Sequence, residues 1–163
     1  MNTRITFNNL EERTSFRFAS LADLDELMGL YERFYAEAVY KDFLEWSPAK
    51  ARRTVGNGIA SDTRPHVVAE VEGKLVGFIS YIFDDSFSVR PCQVLFELYV
   101  VPEHRKSAIG RSLVGIAILE GETHNAGAFH APVASGMTEA RTLFNLFSKA
   151  GFKQFGFMLR KGF

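Results

Sequence analysis

Apolar positions alternate in some stretches of the chain and recur every three or four residues in others, and together these patterns predict ten elements. Residues 15–19 (SFRFA) alternate and carry aromatics, as a short strand would. Ser20 can cap a helix, with Asp23 near its positive end. Leu21, Leu24, Leu27, Met28, Tyr31, Phe34 and Tyr35 then share one helical face, to about Ala38. Ser47-Pro48 starts a second helix, which Gly56 and Gly58 weaken toward residue 61. Residues 65–72 and 74–83 read as strands joined by a turn at Gly73, and 84–86 as the next turn. Residues 93–101 (QVLFELYVV) are mostly apolar, as a central strand would be. A helix is expected over 109–124 and a strand over 128–135, which Pro132 places at an edge or splay. The last helix is capped by Thr138 and ended by Gly151, and a strand over 152–162 closes the chain. Residues 1–14 are a polar leader. Ile5 and Phe7 alternate there, but a mobile terminus is the expectation.

The order β-α-α-β-β-β-α-β-α-β implies an α+β, or mixed α/β, domain. Composition narrows its use. A chain of 163 residues fits one domain, placed at 15–163. Nineteen basic residues balance nineteen acidic ones, which argues against a nucleic-acid partner. No apolar run reaches the ~18 residues of a membrane span, and the leader does not read as a signal peptide, so a cytoplasmic protein is expected. Cys92 is the lone cysteine, so neither an intrachain disulfide nor a clustered-cysteine metal site can form, and no metal is expected.

The chemistry concentrates in residues 97–113 (ELYVVPEHRKSAIGRSL), where a central strand enters a tight loop and a helix opens. The first N–H groups of a helix have no internal partner, and the helix dipole adds partial positive charge. Such a turn binds phosphate, and small residues let the backbone approach closely. Ser107, Ala108 and Gly110 are small, while Arg105, Lys106 and Arg111 add charge; the bland alternative for these three is a solvated basic cluster.

Arg-x-x-Ala-x-Gly at 105–110 resembles the Arg/Gln-x-x-Gly-x-Gly/Ala loop of the GNAT superfamily, the acyl-CoA-dependent N-acyltransferases. The flanking ELYV strand, the Val-Pro-Glu turn, the element order from about residue 15 and a Lys-Ala-Gly-Phe ending at 149–152 match as well. The resemblance implies a twisted, mostly antiparallel sheet of six to seven strands flanked by four helices, splayed between its fourth and fifth principal strands. It implies that Leu98, Val100 and Val101 offer backbone groups to the pantetheine arm of acetyl-CoA. The loop Arg105, Lys106, Ser107, Ala108, Ile109, Gly110, Arg111 and Ser112 would hold its pyrophosphate. Three positions depart from the family pattern: Ala108 replaces the first glycine, Phe147 the usual proton-donating tyrosine, and Ala140 an asparagine.

The implied reaction is attack of a primary amine, on a small molecule or a protein, on the acyl thioester. An alkyl ammonium has a pKa near ~10.4, so something must take its proton. Glu97, an acid in an apolar strand, is the candidate base; its bland reading is a carboxylate paired with an arginine. Tyr99, two residues on and so on the same face, could orient the acceptor or donate a proton, or simply pack in the core. His130 lies across the expected splay as a further base candidate, against a solvated histidine. His66 and His124 carry no argument. The competing reading is a GNAT-fold module that binds acyl-CoA with weak or no turnover. A second copy of the chain could complete the sheet edge near 152–162, giving a homodimer.

Overall fold

A computed structural model describes residues 5–6, 14–42, 44–86, 88–133 and 140–154. It places six strands in one sheet, in the order β1 to β6: β1 (Ile5–Thr6), β2 (Thr14–Phe18), β3 (His66–Val71), β4 (Lys74–Asp84), β5 (Cys92–Val100) and β6 (Ala128–His130). Neighbours are antiparallel except β5 and β6, which run parallel. Four helices accompany the sheet: α1 (Leu24–Glu37), α2 (Pro48–Ala60), α3 (Ile109–Thr123) and α4 (Ala140–Lys149).

Local chemistry explains the boundaries. The Asp23 carboxylate accepts from the Ser20 N–H (2.7 Å) and hydroxyl (3.0 Å), and Arg17 grips both of its oxygens at 2.7 and 2.8 Å. That junction turns β2 through a 3-10 turn (Leu21–Asp23) into α1. Pro48 opens α2, where its missing N–H costs nothing. The β3–β4 hairpin turns at Glu72 and Gly73, both with positive φ (51° and 79°), as its two-residue turn requires. Asp84 ends β4, and its Oδ1 accepts the Ser86 N–H at 3.0 Å.

Ile5 and Thr6 pair with Phe16 and Ser15, so that part of the polar leader is a sheet edge rather than a loose end. The Thr138 cap and the strand expected over 152–162 lie outside the described residues, apart from Phe152–Gln154, which are irregular.

Side chains from both sheet faces build the core. Phe78 and Ser80 of β4 face α1, where Phe78 lies 4.5 Å from Tyr31. Tyr81 and Phe83 face the other way, and Phe83 stacks at 4.3 Å on His124 at the end of α3. On β5, Gln93 points toward α3, and its Nε2 donates to Ala117 O at 2.8 Å. Strict alternation would put Glu97 and Tyr99 on that same face. They are on the α1 face, because the register with β4 jumps from Tyr81–Leu95 to Ser80–Glu97 and leaves Phe96 as an extra residue. This bulge reverses the parity of the strand.

The β5–β6 pairing covers only Cys92–Ala128, Gln93–Phe129 and Val94–His130. Beyond Val94, that side of β5 has no strand partner among the described residues. This is the expected splay.

Candidate active site

The splayed half of β5 leads through a 3-10 turn (Pro102–His104) into the start of α3. Ile109 is buried and anchors the first turn of the helix in the core. The Ser107 hydroxyl bonds the His104 carbonyl (2.6 Å) and accepts the Ile109 N–H (3.3 Å), which tightens the loop. The next N–H groups, of Gly110 and Arg111, belong to the first turn, where a helix offers no acceptor. Ala108 has φ −78° and ψ −2°, so alanine stands in for the motif's glycine without backbone strain. A Cβ on Gly110 would meet only Leu146 and Val100, each at 3.8 Å. Nothing internal therefore demands glycine there, and its missing side chain leaves the backbone open. Lys106 and Arg111 are exposed beside it, and Ser112 is half-buried. These features fit a pyrophosphate cradle.

Arg105 has a second engagement. Its Nε donates to Val100 O at 2.9 Å, and its Nη2 pairs with Glu37 of α1. The Tyr99 hydroxyl donates to the same Glu37 at 2.7 Å, and the guanidinium lies 5.5 Å over the Tyr99 ring. Burial works to raise the Glu37 carboxyl, but the Tyr99 and Arg105 hydrogen bonds outweigh it and hold the group below its ordinary value. The Tyr99 hydroxyl is pushed up to about 12, by burial first and then by Glu37. Glu37 is thus the tie between α1 and the loop.

Glu97 sits in a polar cluster on the α1 face. Arg64 Nη2 lies 2.5 Å from both carboxylate oxygens, Tyr31 Oη donates at 3.1 Å, and Ser80 Oγ donates as well. The Glu97 and Arg64 side chains are each 16% exposed, so the pair is covered but reachable. Arg64 lies against Gly58 of α2, where a Cβ would come within 2.8 Å of Arg64 Cβ. His66 completes the cluster, with Nε2 2.9 Å from Tyr31 Oη and Nδ1 2.8 Å from Arg64 O. Burial holds His66 down, to about 4.

The structure brings Glu97, Tyr99 and the loop 105–112 together along one strand and its continuation. It does not bring His130 to them. His130 pairs with Val94 near the base of the splay, exposed, with Nδ1 3.3 Å from Cys92 Sγ. Leu98 is half-buried and Val100 and Val101 are buried, so any contribution is backbone. Val101 has none to offer, contrary to expectation, because its N–H donates to Val76 O at 2.9 Å and its carbonyl accepts the His104 N–H at 2.9 Å. Phe147 is buried and packs 5.1 Å from Phe152. The sequence reading passed over Arg64 and set His66 aside. The available signal was a histidine at the head of a mostly apolar strand, directly after an arginine and a proline.

Among the described residues, no group of three or more metal-ligating side chains gathers, and no helix is long and apolar enough to cross a membrane. No curated protein matches the chain in sequence. Solved structures match it in shape. A protein of Clostridium acetobutylicum, described as a predicted acetyltransferase and solved with acetyl-CoA, has a TM-score of 0.73 at 14% identity, covering 91% of this chain and 96% of its own. An aminoglycoside acetyltransferase from an uncultured soil metagenomic sample gives 0.72 at 18%, covering 92% and 98%. A ribosomal-protein-alanine N-acetyltransferase of Brucella melitensis gives 0.68 at 16%, covering 91% and 99%. At such identities the likeness is one of fold. The family model for the GNAT acetyltransferases matches residues 22–152, a stretch that holds the splayed strand, the loop and the start of α3; the chain belongs to the acetyltransferase (GNAT) family.

Proposed function

We propose that the protein is an N-acetyltransferase that moves an acetyl group from acetyl-CoA to a primary amine, by direct attack while both substrates are bound. One observation supports this above the others. Among the described residues, the side of β5 beyond Val94 has no strand partner, and it runs directly into an open helix start at Ala108–Gly110. An extended thioester arm can bond that strand side as a further strand would, and its diphosphate then reaches the N–H groups of the first helical turn. Leu98 and Val100 supply backbone to the arm, and residues 105–112 take the diphosphate. Glu97 takes the amine's proton, directly or through one water. Strand N–H groups between Glu97 and Val101 steady the carbonyl oxygen as charge develops. The thiolate that leaves has a pKa near ~8.5 and can be protonated by water or by the surplus proton that the attacking nitrogen carries in the tetrahedral adduct and loses as the C–S bond breaks, so Phe147 in place of a tyrosine does not forbid turnover.

Small-molecule amines and peptide amines both suit this scheme, as the two named activities among the structural neighbours illustrate. A second copy of the chain adding to a sheet edge is the proposed assembly, and a monomeric mass in light scattering at micromolar concentration would remove it. The test of function is calorimetric titration with acetyl-CoA, followed by an amine panel assayed for released CoA thiol. Micromolar binding with amine-dependent thiol release supports the enzyme. Binding with no release across the panel turns the reading to an acyl-CoA-binding module. No binding at all ends both.

A further inference from the structure

The polar cluster behind Glu97 holds more donors and acceptors than a structural ion pair needs, and its hydrogens can be counted. The Arg64 carbonyl only accepts, so His66 Nδ1, 2.8 Å away, must carry a hydrogen. The ring is buried and, with burial holding it down to about 4, neutral at neutral pH. Its Nε2 is then bare, and the group beside it is the Tyr31 hydroxyl, at 2.9 Å. The same hydroxyl is 3.1 Å from Glu97 Oε2. Burial first, and the Glu97 charge second, hold Tyr31 well above its ordinary value, so it keeps one proton. One proton cannot serve two acceptors.

We infer that Tyr31 and His66 form a two-position switch behind Glu97: the Tyr31 hydroxyl hydrogen points to Glu97 while that group is a carboxylate, and turns to His66 Nε2 when Glu97 takes up a proton. The other groups facing Glu97 leave no equal alternative. Arg64 can only donate. The Ser80 hydroxyl is fully buried and has Glu97 as the acceptor of its own hydrogen. Were it to accept from Glu97, its own hydrogen would turn to the Tyr31 oxygen, which it also reaches, and the Tyr31 hydrogen would still have to turn to His66. Of these groups, only Tyr31 reaches His66 Nε2, the acceptor that lies behind them. The elements around the switch are α1 (Tyr31), the segment before β3 (Arg64), β3 (His66), β4 (Ser80 and Phe78) and β5 (Glu97), and the apolar Phe78 ring closes one side.

For catalysis, this inference rests on Glu97 being the group that takes the amine's proton. The balance is then simple. An N–H bond of the substrate ammonium breaks and an O–H bond forms on Glu97. Tyr31 rotates its hydrogen without losing it, and its oxygen accepts from the new Glu97 O–H. Neither Tyr31 nor His66 changes charge. Both are positioning residues: they give the protonated form of Glu97 a partner it would otherwise lack.

The first test needs no turnover. In full-length protein labelled with 15N-histidine, His66 should be the tautomer protonated at Nδ1. Glu97→Gln, whose amide can donate to Tyr31, should shift the His66 Nε2 resonance, and the same change made in Tyr31→Phe should leave that resonance in place. A hydrogen on Nε2, or an equal shift in the Tyr31→Phe background, overturns the switch. The second test is kinetic. His66→Leu removes the second acceptor and should lower kcat about 10- to 100-fold with the KM for acetyl-CoA unchanged, at or below the ~100-fold lower end of acid–base contributions because His66 acts through another group. His66→Gln keeps an acceptor oxygen and should recover most of that loss. Equal losses in the two variants would reduce His66 to packing. If the unmodified protein releases no CoA with any amine, the acetyl-transfer reading fails by itself, and the resonance experiment still decides the switch.

Discussion

Gly110 offers a perturbation in which stability and binding should move in opposite directions. It is the second residue of α3, and a Cβ there meets only ordinary contacts at 3.8 Å. Gly110→Ala should therefore fold normally and gain ~0.4–1 kcal/mol from the lower entropy of the unfolded chain. For a chain of this size that is a rise in Tm of roughly 1–4 °C. Gly110→Glu should keep part of this gain, since an acidic side chain in a first helical turn is favoured by ~0.3–1 kcal/mol. Its effect on the cradle is the reverse. A carboxylate ~5 Å from a diphosphate, at an effective dielectric of ~40, is repelled by ~1.7 kcal/mol per unit charge. With two such charges the penalty is ~3 kcal/mol, a loss of acetyl-CoA affinity of roughly 100-fold or more. The assay is a pair of measurements on three proteins: thermal melting by circular dichroism and acetyl-CoA titration by calorimetry. The expected pattern is an alanine variant that binds like the parent and a glutamate variant that melts no lower but binds far more weakly. Glutamate binding within threefold of the parent would refute the placement of the diphosphate. Melting below the parent in both variants would refute the claim that the fold does not need this glycine.

Other outcomes follow from the same geometry. Glu97→Gln should lower kcat by ~100-fold or more and leave acetyl-CoA affinity within threefold. It also strips Arg64 of its anion in a mostly covered site, which should cost about 2–4 kcal/mol of stability in a denaturant titration; an unchanged rate would dismiss Glu97 as the base. Gly58→Ala forces a Cβ to 2.8 Å from Arg64 Cβ, whereas Gly56→Ala meets only the tip of Leu24 at 3.3 Å. The first should be destabilised by ~1–3 kcal/mol and slowed, and the second much less; equal melting temperatures would show that the close approach is not felt. Arg17 holds the Asp23 carboxyl down to about 2 in the fold, against ~3.9 in the unfolded chain. Because the folded value is the lower one, this contribution is full above pH ~4 and lost as pH falls toward 2. Asp23→Asn should therefore lie below the parent in stability at pH 6 and converge with it near pH 2; a gap that persists at pH 2 would point to a cause other than charge.

What the sequence made legible is what neighbouring residues decide. The strand at 93–101, the loop at 105–110 and the helix behind it are local patterns, and the Gly73 hairpin and the Pro48 helix start are each specified within a few residues. The surroundings of Glu97 are not of that kind. Arg64, Ser80 and Tyr31 lie 33, 17 and 66 residues from it along the chain, and their meeting follows from sheet register and helix docking, which no spacing encodes. His66 was opaque for the same reason: its partner is 35 residues away on a helix. The bulge at Phe96 was hidden by composition. In a run as largely apolar as QVLFELYVV, the residues between Gln93 and Glu97 give the same reading whether or not the alternation slips by one.

That slip makes the site depend on arithmetic as well as chemistry. The carboxylate reaches the α1 face because the stretch from Gln93 to Glu97 contains one residue more than its partner strand opposes. Phe96, partly exposed, can be replaced by many other side chains without disturbing that count. Deleting it cannot be compensated by any replacement nearby. Either Glu97 and Tyr99 turn toward α3, or Gln93 and Leu95 leave it. Homologous chains that keep this chemistry should therefore tolerate wide variation in which residue occupies position 96 and almost none in whether the position exists.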